Sequence, residues 1–121
     1  MILTIEQAEN FTHGVLALHA SHKYVEYGFK VNSKGPEQDA KPEIALTASW
    51  KIGKNENQKT IVGKDIVSAS LIQRCPSLDR LAEEIVEVIG QCHAQLVAHH
   101  CTNFDKILRH HDKTSNKLQD D

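Results

Sequence analysis

The 121-residue chain carries none of the short signatures that name a chemistry. It has no G-x-S-x-G elbow, no glycine-rich phosphate loop and no H-E-x-x-H helix, so serine hydrolysis, P-loop nucleotide binding and zinc proteolysis are not expected. Gly–Lys pairs occur in "GKNENQK" and "VGKD", but without the glycine spacing of a Walker loop, and they read as surface turns. Cysteine is scarce and odd in number, at Cys75, Cys92 and Cys101, which does not make a disulfide framework. No run approaches the roughly 18 apolar residues of a membrane span. The start "MILTIEQAEN" lacks the basic and long apolar regions of a secretory signal. These absences predict a cytoplasmic protein with reduced thiols and no membrane partner. Charge of one sign is missing too: the net charge is −2 at pH 7, which gives no general attraction to nucleic acid or to an anionic surface.

What is present looks like an ordinary globular domain. Hydrophobic residues make up 40% and charged residues 25%, close to the soluble average, and the length suits one domain with its own core. Residues 23–75 hold nine Lys and Arg against six Asp and Glu, while 76–101 hold one against four. The mild positive excess in the middle is that of a solvated sheet surface.

Periodicity divides the chain into five elements. Residues 4–20 read as a helix: Thr4 and Gln7 form a capping box, and Ile5, Ala8, Phe11, Val15 and Leu18 recur every three or four positions. In "KYVEYGFKVN", residues 23–32, Val25, Tyr27, Phe29 and Val31 alternate with Glu26, Gly28, Lys30 and Asn32, the pattern of a half-buried strand. "SKGPEQDAKP" is a loop. Residues 43–52 alternate again, with Ile44, Leu46, Ala48, Trp50 and Ile52 on one side, and "GKNENQK" closes a hairpin. Residues 59–72 form a third strand, interrupted at Gly63-Lys64-Asp65 by a bulge or short break. Ser77 after Pro76 caps a last helix that runs to about residue 111, with Asp79 at its positive end. The polar tail 112–121 is expected to be disordered. The prediction is one α+β domain over residues 1–111. Its order is α-β-β-β-α, with a three-stranded antiparallel sheet, an N-terminal helix and a long C-terminal helix packed on one face.

That order is similar to the double-stranded-RNA-binding domain, which the likeness would make an RNA-groove binder. Such domains present a basic first turn of the second helix to phosphates. Here that turn reads "SLDRLAEE", with Asp79, Glu83 and Glu84 against Arg80 alone. The resemblance stops at element order, and nucleic acid is not an expected partner.

The densest concentration of chemistry is "CHAQLVAHHCTNFDKILRHH", residues 92–111, with five of the eight histidines and two of the three cysteines. A helical metal site needs ligands at i and i+3 or i+4. Only Cys101 with Asp105 and His19 with His22 have that spacing, and neither pair alone fixes an ion; no metal or cofactor is expected. On a helical projection Leu78, Ala82, Val86, Ile89, Leu96, Phe104 and Ile107 form a stripe that includes His93, His100 and His111. The imidazoles therefore read as amphipathic packing residues, which gain charge below about pH 6.5 and loosen the face they line.

Length turns this helix into an argument about assembly. From 78 to 111 it would run about 50 Å, whereas a compact domain of this size is about 35 Å across. It must break, for which Thr102-Asn103-Phe104-Asp105 offers a cap, or leave the domain. Either way the far half carries apolar surface that needs cover. The expected interface is Leu96, His100, Phe104, Ile107, Leu108 and His111, and the expected partner is a second copy, as a homodimer or higher, with another protein as a further partner. Three functions fit: a non-catalytic oligomeric adaptor or inhibitor-type binder; a small-ligand binder using Tyr24, Lys30, Lys51 and Arg109 at a subunit contact; and an α+β enzyme using His99, His100 and Asp105 as acid–base groups. The first is preferred, because the surplus apolar helix needs a partner and the catalytic motifs are missing.

Overall fold

The computed structural model describes residues 1–53, 56 and 58–114, with side chains through residue 100. The elements are α1 (Ile5–His19), β1 (Val25–Lys34), a 3-10 turn (Glu37–Asp39), β2 (Lys41–Ile52), β3 (Lys59–Val67), α2 (Ala69–Arg74) and α3 (Leu78–Thr114). The architecture is α+β: one antiparallel sheet of order β1-β2-β3, with the two long helices side by side on one face, α1 over β1 and α3 over β3. No helix among the described residues is long and apolar enough to cross a membrane.

Local chemistry explains each boundary. Thr4 Oγ1 accepts the Gln7 N–H at 3.1 Å while Gln7 Oε1 accepts the Thr4 N–H at 2.9 Å, the reciprocal capping box that starts α1. After Ala20 a turn returns the chain: the Tyr24 N–H donates to His22 Nδ1 at 3.3 Å and the Val25 N–H to the His22 carbonyl at 3.4 Å. That turn delays β1 to Val25, two residues later than the alternation alone indicated. Gly35, at φ +95° in the left-handed region, turns the chain toward β2. Pro42 sits inside β2 without disturbing the ladder, because β2 pairs with β3 only from Ile44 onward and outruns it at that end.

Two expectations about residues 59–72 are corrected. No bulge interrupts β3: the register runs unbroken from Ile52↔Lys59 to Ile44↔Val67. The strand also stops at Val67, because Ser68 Oγ accepts the Leu71 N–H at 3.2 Å and caps the short helix α2. Gly63, which resembled a break, faces the helix layer in step with Ile61 and Val67. It lies where α3 crosses so close that a Cβ there would run into the Cys92 carbonyl.

The core joins Ala8 and Val15 of α1, Ile44, Leu46 and Ala48 of β2, Ile61 and Val67 of β3, and Leu81, Ile85, Val88, Cys92 and Leu96 of α3. The core row of α3 is therefore 81-85-88-92-96. The projected stripe shares Leu96 with it and includes the buried Ile89, but its N-terminal part is offset, and two of its members are substantially exposed, Leu78 at 46% and Val86 at 38%. Apolar residues cover more than one row of this helix, and the near approach at Gly63 selects the row with Cys92 at its centre. α3 is unbroken from Leu78 to Thr114, so the cap suggested at Thr102-Asn103-Phe104-Asp105 is not used. The helix also enters the first three residues of the predicted tail, and residues 115–121 lie outside the described residues.

Candidate interaction surfaces

Helix α3 runs antiparallel to β3 and reaches the end of the sheet at about His100, whose ring packs on Trp50 with centroids 4.9 Å apart and planes at 51°. One face back along the helix, His93 meets His22 at 5.4 Å. His22 in turn lies 6.5 Å from Tyr24, over which Lys23 Nζ sits at 5.4 Å. These contacts seat the helix on the turn after α1 and on the end of β2. The helix then continues for another 14 residues, 101–114, about 20 Å at the usual rise.

The histidines follow the packing pattern rather than a ligand pattern. His19 and His22 do not share a helical face, because α1 ends at His19, and His22 turns to His93 instead. Among the described residues no group of three or more His, Cys, Asp or Glu is placed to hold a metal ion. The Cys92 thiol donates to the Leu46 carbonyl at 3.5 Å, and no imidazole among the described residues bonds it. Burial first, and the nearby Asp65 carboxylate second, push the thiol above the ordinary thiol range. A thiol so held is a weak nucleophile at neutral pH, and the stability this neutral form contributes is lost as pH climbs past the usual thiol value. Arg80, the one cation in the turn compared with RNA-binding domains, is bonded to Glu83 at 3.1 Å and Glu84 at 2.7 Å.

Of the six residues assigned to a self-interface, Leu96 is corrected. It is 1% exposed, in the chain's own core, because it lies on the 81-85-88-92-96 row that faces the sheet. His100 is half-buried against Trp50. The side chains of Phe104, Ile107, Leu108 and His111 lie outside the described residues, as does that of Arg109. The remaining ligand candidates do not converge. Tyr24 and Lys51 are at one end of the sheet, whereas Lys30 pairs with Ala45, five positions further along β1 than the Val25↔Trp50 pair. That is about 17 Å at strand rise.

The two edges of the sheet differ, a feature the periodicity does not reveal. On β3, the Lys64 N–H donates to Gln95 Oε1 at 2.9 Å and Gln95 Nε2 donates to the Lys64 carbonyl at 2.8 Å. The next outward N–H, that of Ile66, donates to Asp65 Oδ1 at 2.8 Å. Side chains thus occupy that edge at Lys64 and Ile66. Since Lys64 points outward, its partner Thr47 points toward β1, and the Thr47↔Gly28 pair is a hydrogen-bonded one. Even positions of β1 then bond β2, and odd positions face the free edge; the outward Val25 N–H that reaches His22 fits this phase. Beyond Val25, the backbones of Tyr27, Phe29 and Val31 meet no strand on that side among the described residues. Between this edge and α1 runs an open groove of about 550 Å³, lined by His13, Leu16, Ala17 and Ala20 of the helix and its flank and by Tyr27 and Phe29 of the strand.

No family model, curated protein or solved structure matches this chain.

Proposed function

We propose that this protein is a small non-catalytic interaction protein, an oligomeric adaptor or inhibitor-type binder, that associates with a second copy through the far part of α3. The observation that supports the reading is the helix itself, unbroken over 37 residues and about 55 Å long. The longest strand has 12 residues, about 40 Å. The sequence of the overhang places Phe104, Ile107, Leu108 and His111 at the i, i+3, i+4, i+7 spacing of one helical face, and a helix face of that kind is covered by another helix in water. A cytoplasmic setting belongs to the same reading, with Cys75 and Cys92 as free buried thiols.

Native mass spectrometry of the full chain tests it, comparing the parent with the double variant Phe104→Glu, Leu108→Glu. The parent is expected to assemble and the variant to lose at least one step of assembly while keeping its far-UV circular dichroism. A parent whose assembly the variant leaves unchanged, or one carrying a stoichiometric small molecule and no second copy, would overturn the reading.

A further inference from the structure

We propose that the open edge of β1 is a second self-association surface, where it pairs antiparallel with β1 of another copy about a two-fold axis through Gly28. The inference does not rest on the α3 reading, since it uses a different edge of the molecule.

The argument starts from the sequence of the edge. Residues 25–31 read Val-Glu-Tyr-Gly-Phe-Lys-Val, a palindrome in chemical character with opposite charges at mirrored positions. Antiparallel pairing of this segment with itself about Gly28 sets Val25 against Val31, Glu26 against Lys30 and Tyr27 against Phe29, each twice. Moving the axis by one residue in either direction removes the match of charges: Glu26 then meets Asn32 or Gly28.

The backbone phase agrees with that register. Tyr27 and Phe29 are odd positions, whose N–H and C=O groups face the free edge, so each Tyr27/Phe29 pair exchanges two hydrogen bonds. Gly28 and the Glu26/Lys30 pairs then fall at non-hydrogen-bonded sites, where opposed strands come closest and side chains interact most. Glycine at the axis leaves no side chain to crowd its own image. Both Glu26 and Lys30 are exposed on the helix-free face, and neither makes an ion pair among the described residues. On the other face, the half-buried Tyr27 and Phe29 border the groove beside α1, and the partner's aromatic rings would enter it. The helix side of that groove carries His13 and Leu16 beside the short side chains of Ala17 and Ala20. An isologous contact of this kind closes as a pair and joins two three-stranded sheets into one of six.

The register makes a prediction that no unspecific adhesion shares. Glu26→Lys places lysine opposite lysine, and Lys30→Glu places glutamate opposite glutamate. Each variant alone should associate about tenfold or more weakly through this edge, since two attractive cross-strand pairs become repulsive. The double swap Glu26→Lys, Lys30→Glu should restore association. An equimolar mixture of the two single variants should form a heterodimer that neither forms by itself.

Sedimentation equilibrium on the full chain at about 50 mM salt, where exposed charges are little screened, reads all four. The same series on the Phe104→Glu, Leu108→Glu background separates the two surfaces. Association that persists on that background and still follows the charge swaps sinks the α3 reading alone, whereas association that the α3 substitutions abolish and the charge swaps leave unchanged sinks this one alone. A parent that stays monomeric, single variants that associate as the parent does, or a mixture with no heterodimer would overturn the β1 pairing.

Discussion

Over β3, helix α3 comes so close that only a glycine fits beneath it, and a side-chain amide from the helix hydrogen-bonds the strand's outer edge. Over β1, helix α1 leaves an open groove, and the strand's outer edge meets no other strand among the described residues. The two helix–strand pairs share a sheet and a layer but solve the problem of an exposed edge differently. Unpaired strand edges attract other strands, and natural sheets cover them, charge them or use them. Here one edge is capped from within the chain at Lys64 and Ile66, while the other displays a charge-alternating, self-complementary segment.

The sharpest way to break the comparison is one substitution made in both halves. Gly63→Ala sets a methyl group against the backbone of Cys92, which has no rotamer to move aside. The helix must lift, at a cost of about 3 kcal/mol, the upper part of the range for overpacking a core. Gly14→Ala in α1 meets nothing within 4 Å and should stabilise by up to about 1 kcal/mol through helix propensity. Urea titration of both variants gives the two shifts. Opposite signs confirm that α3 is docked to contact at Gly63 while Gly14 sits on the exposed face of α1, whereas two small shifts of the same sign would mean that α3 does not press on Gly63 in solution.

The next effect concerns the covered edge itself. Gln95→Ala removes both bonds to Lys64, worth about 2 kcal/mol together at roughly 1 kcal/mol each, and less where water replaces them. The decisive readout is hydrogen exchange at the Lys64 amide, which should accelerate in Gln95→Ala while amides bonded between β1 and β2 keep their protection. Unchanged exchange at Lys64 would mean that the amide cap does not hold in solution.

Much of this arrangement could be read from residue patterns. Alternation in 25–31 and 44–52 gave the sheet faces correctly, because those strands bury one side and wet the other. Thr4 and Gln7 marked the start of α1, since a capping box is a local device that needs no tertiary context. The failures share a cause. Gly63 looked like a break because its reason for being glycine is 29 positions away, at Cys92. The core row of α3 was placed correctly at Ile89 and Leu96 but offset by about one residue before them, because Leu78 and Val86 supply apolar side chains on a neighbouring row and only contact with the sheet chooses among them. Val67, Ala69 and Leu71 kept strand parity by coincidence, and the signal that would have ended the strand was Ser68 as a helix cap. The edge bonds of Gln95 had no sequence signature, whereas the palindrome in 25–31 was visible and acquires meaning only once β1 is known to be an edge.

The smallest of these effects tests how loosely the α1 half is built. Thr12 is fully buried on the inward face of α1, and its hydroxyl has no hydrogen-bond partner among the described residues. A hydroxyl removed from water without a partner is destabilising, and replacing it with a methyl of the same shape relieves that cost. Thr12→Val should therefore raise stability by about 1 kcal/mol, whereas Thr12→Ser, which keeps the hydroxyl and deletes the packed methyl, should lower it by about as much. Valine and threonine have similar helix propensities, so the backbone contributes little to the difference. If urea titration instead finds Thr12→Val destabilised, the hydroxyl holds a bond in solution. The α1 half would then be as fully satisfied as its counterpart over β3, leaving the open groove and free edge as the only marks that set the two halves apart.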